Sequence, residues 1–232
     1  MAADAVVRFT FMERHMGVEV RLVVCATSEA QARSAARAAF DQVASWDRTL
    51  SDWSAESEAM RLPDKAGATA QAGGQLARAL DAAERAREVT HGALDVSLGA
   101  LTRIWRQARA TGHAPEPQSL QQARAASGPG SFRWQPEARR FTALRDGVRL
   151  DFGAIAQGLA ADDALQALRC GGCPSALVDV SGDIAVGDPP PGADGWRIAI
   201  ATEFDAQALE TLSLHNCGVS TSGDRGQPAT ID

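Results

Sequence analysis

The sequence is poor in cysteine, with four thiols among 232 residues. They are too few and too scattered for a disulfide framework, which predicts reduced thiols in a cytoplasm. The chain also lacks an apolar run of the ~20 residues that a membrane-spanning helix needs. Its first residues include the acidic Asp4 and no apolar stretch of signal-peptide length. As written, the sequence therefore predicts a cytoplasmic protein with no transmembrane segment and no export signal.

Basic residues are fewer than acidic residues in this chain. Lysine and arginine number 23 against 29 acidic residues, so the formal net charge is −6. A protein that holds duplex DNA by neutralising many phosphates normally carries an excess of positive charge. We therefore expect no nucleic-acid partner, although a small phosphate pocket is compatible with this balance. The hydrophobic fraction of 45% is ordinary for a globular protein with a sizeable core.

The stretch from Val148 to Arg169 organises the chain. An extended apolar run ends at Phe152, Gly153 follows, and apolar residues then recur at helical spacing. This pattern predicts a strand that turns sharply into a helix. Because the first amides of a helix have no internal partner and glycine has no side chain, the junction is suited to receive a phosphate. An ordinary strand-glycine-helix junction that binds nothing is the alternative.

The remaining patterns predict an α+β fold, a single domain over residues 1–232 with a mixed β-sheet and three main helices. Helices are expected after the Ser28 cap, from Gln75 to Val89, and from the organising glycine. A short helical patch covers 118–126. Strands are expected over 18–24, 132–134, 140–144, 148–150, 176–180, 184–186, 196–200 and 211–214, with an Asp-Gly hairpin turn at 145–147.

The thiols of Cys170-Gly-Gly-Cys173 raise the alternatives of a zinc site or a redox pair. A four-thiolate zinc site needs a second close pair, and Cys25 and Cys217 do not form one. Redox pairs are usually activated at a helix N-terminus, whereas this pair follows a predicted helix end. We therefore interpret both as incidental thiols at a glycine turn. The histidines show no ligand spacing either; they are His15, His91, His113 and His215.

Four turns rich in glycine and acidic residues lie at or near predicted strand ends. They occupy 92–99, 150–158, 181–183 and 220–224. Small residues allow a ligand to approach the backbone, and carboxylates supply the oxygen donors that magnesium prefers. Together they predict a cleft for a phosphate-bearing ligand with a magnesium ion.

The order of these motifs resembles the ApbE family of FAD:protein FMN transferases. The collinear matches are His15-Met-Gly17, Leu50-Ser-Asp-Trp53 with Ser57-Glu58, Gly92-Ala-Leu-Asp95 with Ser97 and Gly99, Leu150 to Gly158 with Asp162, Ser181-Gly-Asp183, and Thr221-Ser-Gly-Asp224. The resemblance implies a magnesium-dependent enzyme that transfers FMN from FAD to a threonine of an acceptor protein and releases AMP. It identifies no catalytic residue in this chain.

The resemblance also implies a set of site residues. FAD contacts are expected at Met16, Trp53 and Asp95, and the Ala154 carbonyl is expected to bind the metal. Gln157 is expected to contact the cofactor, at the position where the family usually carries lysine. Family members are often exported and anchored to a membrane, which contrasts with the cytoplasmic expectation.

Two further departures from the family pattern affect the expected function. The family's asparagine after the Ser-Glu loop is replaced near Leu62-Pro63, and the final Ala229 to Asp232 resembles the opening of a segment that carries later metal ligands. We therefore expect a C-terminally incomplete domain that transfers FMN slowly or not at all. Two alternatives follow: a non-catalytic FAD-binding module, and an FAD pyrophosphatase in which water replaces threonine.

Overall fold

The structure is a computed structural model that describes residues 5–202 and 205–221. Its α-helices are α1 (Glu29–Leu50), α2 (Gly74–Val89), α3 (Gly99–Thr111), α4 (Pro117–Ala126) and α5 (Gly153–Cys170). Its strands are β1 (Val7–His15), β2 (Val18–Ala26), β3 (Thr69–Gln71), β4 (Phe132–Gln135), β5 (Arg140–Ala143), β6 (Ala176–Val180), β7 (Asp183–Val186), β8 (Trp196–Thr202), β9 (Asp205–Leu214) and β10 (Cys217–Val219). This content confirms the α+β class.

The chain forms two compact units. We call Met1–Ser45 with Gln157–Asp232 the first unit, and Trp46–Ala156 the second unit. The division falls within α1 and within α5. Whether residues 1–232 act as one domain stays a prediction.

The first unit contains a five-stranded antiparallel sheet of order β1-β2-β6-β7-β10 and a two-stranded ribbon of β8 and β9. The interior strand β2 buries most of its residues and pairs with β1 and β6. Met16 and Gly17 connect β1 to β2, and both have positive φ, as a two-residue type I′ hairpin requires. A cluster of buried side chains lies beneath the ribbon, around Trp196, Val23 and Leu177.

The two long helices follow their sequence signals. The Gln31 amide donates to the Ser28 hydroxyl at 3.2 Å, which confirms the predicted cap of α1. The α1 face that includes Ala32, Ala39 and Val43 is buried. At the end of α5, the Cys173 amide donates to the Leu168 carbonyl over a left-handed Gly172, a Schellman motif that ends the helix where the glycines predict.

The second unit contains a three-stranded antiparallel sheet of order β3-β5-β4 with α2, α3 and α4. The helices α1, α2 and α5 are the three expected, and α4 covers the predicted helical patch. The helix α3 was not among the predicted helices, although Leu101, Ile104 and Trp105 recur at helical spacing. Each described strand pair is antiparallel and the pairs form three sheets, so the mixed β-sheet that the patterns predicted is not what the structure shows.

The segment over 148–150 belongs to no sheet, so the expected strand and Asp-Gly hairpin are wrong. Its backbone pairs instead with the start of α3 and the short 3-10 helix before it. The Asp151 amide donates to the Val96 carbonyl at 2.8 Å, and the Gly99 amide donates to the Arg149 carbonyl at 3.2 Å. A segment that finds these partners has no need of a sheet neighbour. Among the described residues, no helix is both long and apolar enough to cross a membrane.

Candidate functional site

Two of the four predicted turns meet in the second unit. The turn 92–99 and the segment 149–153 are joined by the two backbone hydrogen bonds described above. The approach depends on Gly99, because a Cβ there would lie 2.7 Å from the Arg149 carbonyl oxygen. Since that oxygen belongs to the backbone, a larger residue cannot be accommodated by turning a side chain. Glycine at this position therefore allows the two segments of the candidate site to touch.

Asp95 lies within this turn, half-buried, as the acceptor that caps the 3-10 helix of Val96–Leu98. Its Oδ1 accepts from the Ser97 amide at 2.8 Å and from the Ser97 hydroxyl at 2.6 Å. Its Oδ2 is buried and has no hydrogen-bond partner in the structure. An unpaired buried carboxylate oxygen is unfavourable, so this atom is poised to accept from a ligand donor or to bind a cation.

Arg87 on α2 interacts electrostatically with Asp95. A side-chain hydrogen bond and the charge of Glu84 raise the pKa of Arg87, and the Asp95 carboxylate raises it further. The guanidinium is bonded to Glu84 through two nitrogens, at 2.9 and 3.3 Å. Arg87 therefore contributes a favourable field at Asp95, while its hydrogen bonds are made to Glu84.

The start of α5 is capped by the residue two positions before it. Asp151 Oδ1 accepts from the Gly153 amide at 2.8 Å, which satisfies one of the free amides of the first turn. Ala154 is exposed in this first turn. The junction thus has the helix N-terminus that the sequence predicted, with a carboxylate rather than an open amide at Gly153.

A third segment, residues 51–58, is connected to this junction through Arg106 on α3. Its guanidinium donates to Asp52 through Nη1 and to Asp151 through Nη2, the latter at 2.7 Å. Its Cζ also lies 5.5 Å from the ring centroid of Trp53, whose side chain is highly exposed. Nothing in the local sequence identifies Arg106, because its acidic partners lie 54 and 45 residues away.

The Ser-Glu motif of the same segment has a structural role. The buried Ser57 hydroxyl donates to the Ser51 carbonyl at 2.6 Å and accepts from the Met60 amide. The Glu58 carboxylate accepts from the Gly73 amide, which is the N-cap residue of α2. These bonds fix both ends of the loop that presents Trp53.

The other two predicted turns meet in the first unit. The Ser220 hydroxyl donates to the Asp183 carboxylate, and Asp179 accepts from the Gly182 amide at 3.0 Å. Ser181 and Gly182 both have positive φ in this turn. Asp224, in the second of these turns, and Ala229 to Asp232 lie outside the described residues, and so do the expectations drawn from them.

The predicted site residues divide between the units. Trp53, Asp95 and Ala154 belong to the second unit, while Met16 and Gln157 belong to the first. Met16 is half-buried in the strained left-handed conformation of the β1-β2 turn. Gln157 is half-buried one turn into α5. The contacts that these five residues would make to FAD stay predictions.

The described residues offer only part of the oxygen ligands that a magnesium ion needs. The Asp95 Oδ2 atom is an unpaired oxygen of the kind magnesium binds. Within 5–202 and 205–221, however, no three histidine, cysteine or acidic side chains converge in a way that could hold a metal ion. The same finding holds for a cysteine-based zinc site. The described residues therefore do not form a complete magnesium site.

The four cysteines differ in their exposure. Cys170 and Cys217 are exposed, and Cys25 and Cys173 are buried. Burial raises the pKa of the Cys173 thiol, with a smaller effect from Cys25 in the same direction. A raised pKa lowers the thiolate fraction, which disfavours redox chemistry and metal binding.

An open groove of about 710 Å³ in the first unit contains none of the predicted site residues. It is lined by small and polar side chains of α1 and α5, including Ala35, Ala38 and Gln166. The candidate site is therefore defined by the hydrogen bonds and the unpaired carboxylate oxygen described above, and this groove is not part of it.

The fold is that of solved ApbE-type structures. The apo form of the flavinyl transferase ApbE of Pseudomonas stutzeri matches with a TM-score of 0.81 at 24% identity, covering 96% of this chain and 70% of that one. The ApbE protein of Thermotoga maritima matches with a TM-score of 0.85 at 22% identity, covering 97% of this chain and 74% of that one. At these identities the likeness establishes the fold alone.

The family follows from the sequence match. The ApbE family profile matches residues 16–229, so the chain belongs to the ApbE family. An FAD:protein FMN transferase of Klebsiella pneumoniae is 26% identical in an alignment of 220 residues that covers 90% of this chain and 61% of that protein. One from Treponema pallidum is 30% identical in an alignment of 167 residues that covers 64% of this chain and 44% of that protein. The chain thus spans less than two thirds of the length of these relatives.

Proposed function

We propose that this chain is an FAD:protein FMN transferase. It transfers the FMN half of FAD to a threonine hydroxyl of an acceptor protein and releases AMP. Family membership supports the flavin chemistry, since relatives of this family are named FAD:protein FMN transferase. The observation in the structure that carries the proposal is the buried, unpaired Oδ2 atom of Asp95 beside the segment that leads into α5.

The polar and aromatic groups of the candidate site are suited to a dinucleotide. An unpaired carboxylate oxygen needs a hydrogen-bond donor, and FAD offers hydroxyl and amino donors on its ribose, ribityl and adenine groups. The positive end of the α5 dipole favours an anion such as the pyrophosphate. The exposed indole of Trp53 offers a flat surface to a planar ring.

The transfer is a substitution at phosphorus. The threonine oxygen forms a bond to the phosphorus on the flavin side, the bond from that phosphorus to the bridging oxygen breaks, and AMP leaves with that oxygen. The hydroxyl proton is released as the new ester forms. Magnesium dependence is part of the proposal, and the ion would supply charge neutralisation at the pyrophosphate. In this proposal, the Asp95 carboxylate and the Ala154 carbonyl would offer oxygen atoms to the magnesium ion.

The partners in this proposal are FAD and an acceptor protein with a target threonine, and nucleic acid is not among them. The cytoplasmic location stays a prediction of the sequence.

The test is to incubate the chain with FAD, magnesium and an acceptor peptide, then to measure AMP and the flavin fluorescence of the denatured peptide. The proposal expects both products together, and neither with a peptide that carries valine in place of threonine. AMP accompanied by free FMN would identify a pyrophosphatase. Bound FAD without AMP would identify a binding module. Transfer that persists in a metal chelator would refute magnesium dependence.

A further inference from the structure

We propose that Arg106 is a positioning residue for the flavin, which holds the Trp53 indole as a stacking surface and fixes it relative to the start of α5. The inference rests on the proposed function, since it assigns the indole to the flavin ring. It concerns a residue that the family resemblance does not single out. All of the groups involved belong to the second unit.

The first step is the geometry of Arg106. Its two terminal nitrogens are used on two different carboxylates, Asp52 and Asp151, and 34% of its side chain is exposed. The planar, forked guanidinium can hold two carboxylates in fixed directions, which an ammonium group cannot do in the same way. Because the two acids come from different segments, one side chain joins the 51–58 loop to the 149–153 segment.

The second step is the position of Trp53. The guanidinium carbon lies 5.5 Å from the indole centroid, a distance within the range of a cation–π interaction. The tryptophan is nevertheless 81% exposed. A large aromatic side chain fixed on one face by a cation and otherwise open to solvent is prepared to stack with a planar ring. Without Arg106, the described contacts leave the indole with no cation to orient it.

The third step connects this surface to the helix. Asp151 pairs with Arg106 through Oδ2 and accepts from the Gly153 amide through Oδ1. A rotation of the Asp151 carboxylate would therefore disturb both contacts at once. Arg106 also offsets the charge of two carboxylates that would otherwise repel a pyrophosphate at the start of α5. The residue thus orients the stacking surface and reduces repulsion of the ligand.

The experiment compares Arg106→Met with Arg106→Lys, and uses Arg103→Met as the matched control on an exposed position of the same helix. Methionine removes the charge and the fork, whereas lysine restores only the charge. The FAD dissociation constant is measured from flavin fluorescence, together with the visible absorption of bound flavin and the KM and kcat for AMP release. Hydrogen exchange of residues 51–57 and 151–156 is measured without FAD.

We expect Arg106→Met to raise the FAD dissociation constant and KM about tenfold with little change in kcat, which corresponds to about 1.4 kcal/mol. The spectral shift of stacked flavin should be lost and exchange should accelerate in both segments. Arg106→Lys should recover part of the affinity, and Arg103→Met should behave as the unmodified chain.

Unchanged FAD affinity in a folded Arg106→Met chain would overturn the positioning role while leaving the proposed function intact. An unmodified chain that binds no FAD would overturn the proposed function and the flavin role of Arg106 with it. If the methionine variant does not fold, the lysine variant decides, and full affinity together with the bound-flavin spectrum of the unmodified chain would also overturn the role.

Discussion

Replacing Gly99 by alanine should displace the backbone that carries the candidate site. A Cβ at this position would lie 2.7 Å from the Arg149 carbonyl oxygen and 2.8 Å from the carbonyl carbons of Arg149 and Leu150. Ordinary contact begins near 3.4 Å, and all three atoms belong to the backbone. The two segments must therefore separate by several tenths of an ångström. The hydrogen bond from Asp151 to Val96 lies in the path of that movement.

The magnitude follows from two opposing effects. Forcing an extra methyl group into a packed site costs about 1–3 kcal/mol. Alanine in place of glycine at a compatible backbone conformation stabilises by about 0.4–1 kcal/mol, and Gly99 has helical φ and ψ. We therefore expect a net loss of about 1–2 kcal/mol, since the strain exceeds the gain in most of this range. For a chain of this size, that loss lowers Tm by about 2–8 °C.

The assay is differential scanning calorimetry with a matched glycine as control. Gly74 is the first residue of α2, as Gly99 is of α3, but it is exposed and has nothing within 4 Å of a built Cβ. Gly74→Ala should therefore leave Tm unchanged or raise it slightly. Gly99→Ala should also weaken FAD binding, because Asp95 and Asp151 are attached to the displaced segments. Equal melting temperatures for the two variants would refute this account of the close approach.

Three further predictions can be measured on the same protein. Asp95→Asn should raise the FAD dissociation constant about 10–100-fold, the usual effect of losing a hydrogen bond to a charged group. Its amide oxygen still accepts from Ser97, so Tm should be unchanged. Titration calorimetry measures the affinity, and thermal melting measures Tm. The unmodified chain should bind FAD more tightly than FMN, because only FAD carries the pyrophosphate and adenine, and equal affinities in calorimetry would contradict this. In the folded chain, the exposed thiols of Cys170 and Cys217 should react rapidly with Ellman's reagent, and all four thiols should react after denaturation. The reason is that Cys25 and Cys173 are buried and that burial raises the pKa of Cys173. Rapid reaction of more than two thiols in the folded chain would contradict this burial.

The sequence by itself determined the elements whose signals are local. Ser28 begins α1, Gly153 begins α5, and the glycines after Cys170 end it, because caps and left-handed turns are decided by a few neighbouring residues. The alternation of β2 likewise predicts a half-buried strand. The order of short motifs was also sufficient to indicate the family, which the profile match establishes.

Tertiary structure alone decided which segments pair. The run 148–150 has the composition of a strand, yet it bonds to the 3-10 turn and to α3, because an extended backbone accepts whichever partner the fold brings beside it. The helix α3 was not predicted, although Leu101, Ile104 and Trp105 recur at helical spacing, because no side chain caps its start and Gly99 is placed there by a hydrogen bond to the distant Arg149 carbonyl. Arg106 could not be predicted either, because its role comes from carboxylates that are distant in sequence and meet its guanidinium only after folding.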